Sequence, residues 1–177
     1  LNAAAAAAVA WVLGMRTGAV ARRLSGFRFR AGLRMEVRRL PGGALALLDC
    51  YNANPASMRA ALEHLRRTGG PGPVLVLGGM LELGRHGPAA HRALGRLAAS
   101  LKPSLVVGVG RGAGEMAAAA RSAGAERVVT VRDPLGAEAV VRDAARKGRM
   151  VLLKGSRKVG LERLAAVLAG RGKRDAV

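Results

Sequence analysis

The sequence predicts an α/β fold: a Rossmann-like, largely parallel sheet with helices on both faces, one antiparallel hairpin strand, and a helix in front. Three observations predict it. The runs "VLVLGG", "LVVGVG", "RVVTV" and "RMVLLKG" have the near-continuous Val and Leu character of strands covered on both faces. Segments with helical spacing lie between them, and strand-helix alternation gives right-handed crossovers and parallel strands. Half of the 177 residues are hydrophobic, enough for one domain with a sizeable core.

The opening stretch "LNAAAAAAVAWVLGM" reads as a buried, alanine-rich helix, with residues 1 to about 25 forming one helix and its exit. It lacks the basic region of a signal sequence and falls short of the roughly 20 apolar residues of a membrane span. The chain starts at Leu1 rather than at a methionine, so it is expected to begin partway into a longer protein. "SGFRFRAG" reads as a linker. "RMEVRRL", the turn "PGG" and "ALALLD" then make two strands joined by a hairpin.

Beyond the hairpin, Met58, Ala61, Leu62 and Leu65 recur at i, i+3, i+4 and i+7, and Ala90, Leu94, Leu97, Ala98 and Leu101 nearly do. Further helices fit residues 112–123, 134–147 and 161–169. Residues 34–177 are therefore expected to form the α/β domain, and 1–33 a helix and linker.

Composition narrows the function classes. A single cysteine excludes an internal disulfide and favours a reducing, cytoplasmic setting. The net charge is +19, with lysine supplying 5 of the 30 basic residues and arginine the rest. Such a field attracts nucleic acid, anionic lipid or acidic small molecules. An aromatic content of 2% leaves almost no base-stacking surface, which argues against nucleic acid. The arginines are scattered, densest in residues 16–39 and in the tail, as on a solvated face.

In sheets of this kind, ligands bind beyond the carboxyl ends of the strands. That edge carries residues 49–54, 78–82, 108–112, 130–133 and 154–158. The first of these belongs to "DCYNANPASM", which concentrates two asparagines, an aspartate and the chain's only tyrosine and cysteine. Asn54 and Pro55 suit the N-cap and first position of a helix. Capping does not account for Asp49, Tyr51 and Asn52, which lie in the crossover itself.

"GVGRGAGEM" fails the dinucleotide spacing, since Ala113 stands where the third glycine belongs, and reads as a tight strand-helix turn; Asp133 is the ribose partner that the dinucleotide reading would need. "LLKGSRKVGLERL" sets Lys154, Ser156, Arg157 and Lys158 between a strand and a helix, suiting a phosphate or carboxylate, or forming a solvated loop with Ser156 as a cap. His64, His86 and His91 have no metal-ligand spacing with Cys50. His91 either reaches the ligand edge or is a helix-surface histidine.

Taken together, "DCYNANPASM", "GGMLELG", His91 and "KGSRKVGLE" resemble the C-terminal domain of the Mur ligase family. "RMEV" resembles the junction with that family's central ATP-binding domain, and "LNAAAAAAVAWVLGM" the central domain's late helix. Within the family, "YNANP" resembles the members that take D-alanyl-D-alanine. The resemblance implies an ATP-dependent amide ligation, with Mg2+, that extends UDP-N-acetylmuramoyl-tripeptide through an acyl phosphate in cell-wall synthesis. It implies Arg34 at the ATP phosphates, Asp49 at the ribose side and Asn2 at the adenine. The acceptor would lie near Tyr51, Asn52, Asn54, His91, Lys154, Ser156 and Arg157. The magnesium ligands, the phosphate-binding loop and the UDP-binding domain are implied upstream in the same polypeptide, so that this chain alone is expected to be inactive. Gly79 replaces the family's usual aspartate, Cys50 its serine, and Leu33 the glycine before Arg34. A non-catalytic Rossmann-like module that binds a nucleotide or polyanion is the alternative.

Overall fold

The computed structural model describes residues 2–27 and 32–170, which fall into two units, 1–31 and 32–177. The first unit holds α1 (Asn2–Val12) and α2 (Thr17–Ser25). One helix was expected there, but the chain breaks at Gly14, whose φ of 83° ends the first helix. Nor is α1 buried: none of its residues is, and Trp11 is 68% exposed. Two short helices have too little mass to enclose an alanine-rich one. Half of the expected linker, residues 28–31, lies outside the described residues.

The second unit runs β1 (Glu36–Arg39), β2 (Leu45–Asp49), α3 (Pro55–Thr68), β3 (Val74–Gly78), α4 (Gly87–Ala99), β4 (Leu105–Val109), α5 (Ala113–Ser122), β5 (Val128–Val131), α6 (Glu138–Ala144), β6 (Met150–Lys154) and α7 (Leu161–Leu168). The strands form one sheet in the order β1-β2-β6-β3-β4-β5. β1 pairs antiparallel to β2 through the expected hairpin, and the other pairings are parallel. The expected helix over 134–147 is split: Asp133 caps a 3-10 turn at Pro134–Ala137, and α6 follows for only seven residues.

Strand β6 is inserted between β2 and β3, and this positions the site. Side chains alternate across the sheet. Leu47, Leu75, Val106 and Leu152 pack with α3, α4 and α5 on one face. Leu48, Val76, Val107 and Leu153 pack with α6 and α7 on the other. The chain therefore leaves β2 and β3 toward one face and β6 toward the opposite face. The loops part on both sides of the carboxyl end of β6, the arrangement that opens a ligand crevice in α/β sheets. Every residue of β3 and β4 is buried, as strands covered on both faces require, whereas β5, at the free edge, is only half-buried.

A candidate nucleotide and acceptor site at the carboxyl edge of the sheet

Asp49 and Lys154 end neighbouring strands in direct register. Lys154 is 1% exposed, and its Nζ donates to Asp49 Oδ2 at 2.5 Å. Nζ also lies 3.5 Å from the Asp49 carbonyl and 3.4 Å from that of Asn52. Two of these contacts go to the last residue of β2 and one to the crossover after it, so Lys154 fastens residues 49–52 to the sheet. Its ammonium lies beneath the site rather than facing it.

Above this anchor lies Tyr51. The Arg34 guanidinium stands 4.1 Å from its ring centroid and that of Arg157 5.3 Å, two cation–π contacts from distant parts of the chain. Arg34 sits between Leu33 (φ 66°) and Met35 (φ 50°), left-handed conformations that cost a non-glycine residue about 1–2 kcal/mol each. The turn is held by the Leu33 N–H donating to Glu36 Oε2 (3.1 Å) and the Tyr51 N–H donating to the Leu33 carbonyl (3.1 Å). Glycine would adopt Leu33's conformation freely.

Asn54 caps α3, its Oδ1 accepting from the Ser57 N–H at 2.8 Å while Ser57 Oγ accepts from the Asn54 N–H at 3.1 Å. Pro55 follows at the first helical position, as expected. The capping box spends Asn54 Oδ1 and leaves its amide nitrogen for other partners. Asn52 is exposed, with Oδ1 turned to the Ala53 N–H at 2.8 Å.

The loop after β6 differs from expectation. Ser156 Oγ caps nothing locally; it accepts from the Leu81 N–H at 3.1 Å, across to the loop after β3. The Ser156 N–H donates to the Gly79 carbonyl at 3.3 Å. A 3-10 turn at Arg157–Val159 comes next, and α7 begins only at Leu161, so the N–H groups of α7 lie beyond the 154–157 loop. Backbones approach closely here: a Cβ on Gly155 would lie 2.8 Å from the Gly78 Cα, and one on Gly79 only 2.0 Å from the Arg111 carbonyl oxygen.

A cleft of about 730 Å³ is lined by Tyr51, Asn52, Asn54, Ser156, Arg157 and, among others, Lys158. Residues 81–83 form its wall and also border a second cleft of about 500 Å³, lined by His91, Arg111, Gly112 and Glu115. His91 is no surface residue: it is 4% exposed, with both ring nitrogens bonded to backbone. Five of the expected acceptor residues thus meet in one cleft, His91 lies under its neighbour, and Lys154 and Asp49 form the floor. Asn2 belongs to the first unit. Sequence reasoning overlooked Glu82, at φ 64° on the shared wall; its only signal was a carboxylate at the ligand edge.

Cys50 faces the core. Burial foremost, and then the Glu162 carboxylate, push its thiol up to about 12. Asp133 is exposed and held below the usual carboxylate range by the Leu135 N–H and then by Arg163, so it serves the chain's own turn. A Cβ on Gly108 would meet Ala113 at 3.1 Å, which makes "GVGRGAGEM" the tight turn expected. Among the described residues no three of His, Cys, Asp and Glu cluster as metal ligands do, and Asp49 is already engaged by Lys154, so these residues do not fit a magnesium ion. Among the described residues, no helix is long and apolar enough to cross a membrane.

The family profile described as "Mur ligase, glutamate ligase domain" matches residues 33–157. The UDP-N-acetylmuramoyl-tripeptide–D-alanyl-D-alanine ligase of Mycobacterium leprae is 39% identical, over 97% of this chain and 36% of its own length. That of Bacillus subtilis is 32% identical, over 93% of this chain and 36% of its own. A crystal structure of MurF from Acinetobacter baumannii superposes with a TM-score of 0.82 at 30% identity, covering 96% of this chain and 37% of that one. The MurF ligase of Thermotoga maritima in complex with ADP gives 0.76 at 25% identity, over 99% of this chain and 38% of that one. The chain spans little more than a third of the length of these relatives. With its six-stranded sheet and the profile match over residues 33–157, it belongs to the Mur ligase family.

Proposed function

We propose that the chain is the C-terminal part of an ATP-dependent ligase that joins D-alanyl-D-alanine to UDP-N-acetylmuramoyl-tripeptide in peptidoglycan synthesis in the cytoplasm. Residues 34–177 are its Rossmann-like C-terminal domain, and residues 1–33 the end of its central ATP-binding domain with the linker. One observation carries the reading. Tyr51, Asn52, Asn54, Ser156 and Arg157 line one cleft beside β6, in a chain whose relatives bear that activity's name across nearly all of its length.

In this reaction the terminal carboxylate of the tripeptide takes the γ-phosphoryl group of ATP. The amine of D-alanyl-D-alanine then attacks the acyl carbon, the amide bond forms, and inorganic phosphate leaves. Phosphoryl transfer of this kind depends on positioning and charge neutralisation. Arg34, steadied on Tyr51, is suited to the ATP phosphates. Asp49, with Oδ2 fixed by Lys154, has Oδ1 left for a ribose hydroxyl. Asn2 is assigned to the adenine. Arg157, exposed at the cleft and stacked on the same tyrosine, is suited to the acceptor's carboxylate. Magnesium belongs to the upstream part of the polypeptide, as does the loop that cradles the phosphates.

Titration of the isotopically labelled chain with D-alanyl-D-alanine tests this. The amides of residues 51–54 and 156–158 shift, L-alanyl-L-alanine has a weaker effect, and Arg157→Ala weakens binding about tenfold or more. Shifts confined to residues 108–114, or equal response to both dipeptides, would place the ligand elsewhere.

A further inference from the structure

We infer that His91 is a positioning residue: its neutral, Nδ1-protonated imidazole holds the wall between the two clefts and releases it when the ring is protonated. The proposal rests on the ligase reading only for what that wall faces.

The geometry fixes the tautomer. His91 Nδ1 lies 2.7 Å from the Gly87 carbonyl oxygen, which can only accept, so Nδ1 carries the hydrogen. Nε2 then presents its lone pair, 3.0 Å from the backbone nitrogen of Met80, which can only donate. The ring also lies flat under the loop after β4, since a Cβ on Gly112 would fall 2.4 Å from Nε2. One side chain on α4 thereby joins the loops that follow β3 and β4.

The wall is residues 81–83, and Met80 leads into it from β3. It is fastened at Met80 by His91 and at Leu81 by Ser156 Oγ, and both clefts border it. A proton on Nε2 would set two donors facing each other and leave the Met80 N–H, in a buried residue, without an acceptor. The charged groups around the ring's cleft are Glu82 from the β3 loop, Arg111 from the β4 loop, Glu115 from α5 and Lys158 from the loop after β6, two of each sign. Protonation of the ring therefore loosens the wall at its Met80 fastening.

Nitrogen NMR and amide exchange on the labelled chain, without substrate, test this, so failure of the latch is distinguishable from failure of the ligase reading. The expected results are an Nδ1–H tautomer and a Met80 amide whose protection falls on acidification. His91→Ala lowers Met80 protection about tenfold, while Val76 in the core is unchanged. His91→Gln, whose carboxamide oxygen takes the place of Nε2, keeps Met80 protected and abolishes the acid response. An Nε2–H tautomer, equal Met80 protection in wild type and His91→Ala, or a His91→Gln chain that still loosens in acid would overturn the proposal. Should His91→Ala fail to fold, the wild-type tautomer and the His91→Gln acid comparison decide it.

Discussion

Burying an ammonium costs several kcal/mol unless it is paired, and Lys154 is 1% exposed with the Asp49 carboxylate as its ionic partner. Removing one member of such a pair strands the other. Lys154→Met should therefore cost about 3 kcal/mol of stability in urea unfolding, and adding Asp49→Asn should recover part of it. Asp49→Ala in the complete enzyme should raise the KM for ATP and lower kcat/KM about tenfold. Asp49→Asn is the cleaner variant, because it keeps an oxygen for Lys154. Unchanged ATP kinetics would remove Asp49 from the site. Cys50 titrates in the opposite sense to a catalytic thiol. With its thiol pushed from 9.0 up to about 12, the folded state holds its proton where the unfolded chain loses it. The stability this contributes is complete below pH 9 and is lost as pH rises toward 12. Alkylation at pH 8 should be slow until the chain unfolds; rapid labelling of the native protein would contradict the burial. The residue types of this loop were legible in the sequence. What was not legible is which cation turns inward, because Lys154, Arg157 and Lys158 look alike until the register of β2 and β6 sets Lys154 beside Asp49.

Local signals served best at the level of elements. The periodic residues Met58, Ala61, Leu62 and Leu65 are all buried on α3, and Asn54-Pro55 begins that helix as its chemistry dictates. Strands β2 to β6 fall where the apolar runs lie, and β1, Glu36–Arg39, lies in the expected hairpin. Failures came where tertiary context overrides a local pattern. An apolar start did not make α1 buried, and Pro134 opens a 3-10 turn rather than a long helix. Since α1 buries nothing, its amides should exchange far faster than those of β3 and β4; comparable protection would show that it packs. The departures from the family pattern also acquire physical content. Leu33 adopts a glycine-like φ, and Gly79 lies where any Cβ would strike the Arg111 carbonyl. Restoring the family's aspartate with Gly79→Asp should push the β3 and β4 loops apart and cost about 1–3 kcal/mol. An unchanged urea midpoint would show that the loop yields without strain.

The whole molecule depends on β6 returning to lie between β2 and β3, a long-range pairing that no local pattern announces. The parallel sheet and its ligand edge followed from strand-helix alternation, but the crevice beside β6 needed the strand order. Of the high positive charge, Arg34, Arg157 and Lys158 lie at the site and Arg111 at the adjoining cleft. Five strand-helix units bury two continuous cores, so the chain should unfold cooperatively on its own. Its 177 residues hold no sequence of the P-loop type, so with ATP, magnesium and both substrates it should release no phosphate. The most direct test supplies the rest of a ligase from a relative. In a chimera, this chain replaces the matching segment of the Mycobacterium leprae ligase, and phosphate release is measured against D-alanyl-D-alanine concentration. The account predicts release that requires D-alanyl-D-alanine and falls about tenfold with Asp49→Asn or Arg157→Ala in this chain. A folded chimera that binds ATP and UDP-N-acetylmuramoyl-tripeptide yet forms no amide would contradict it.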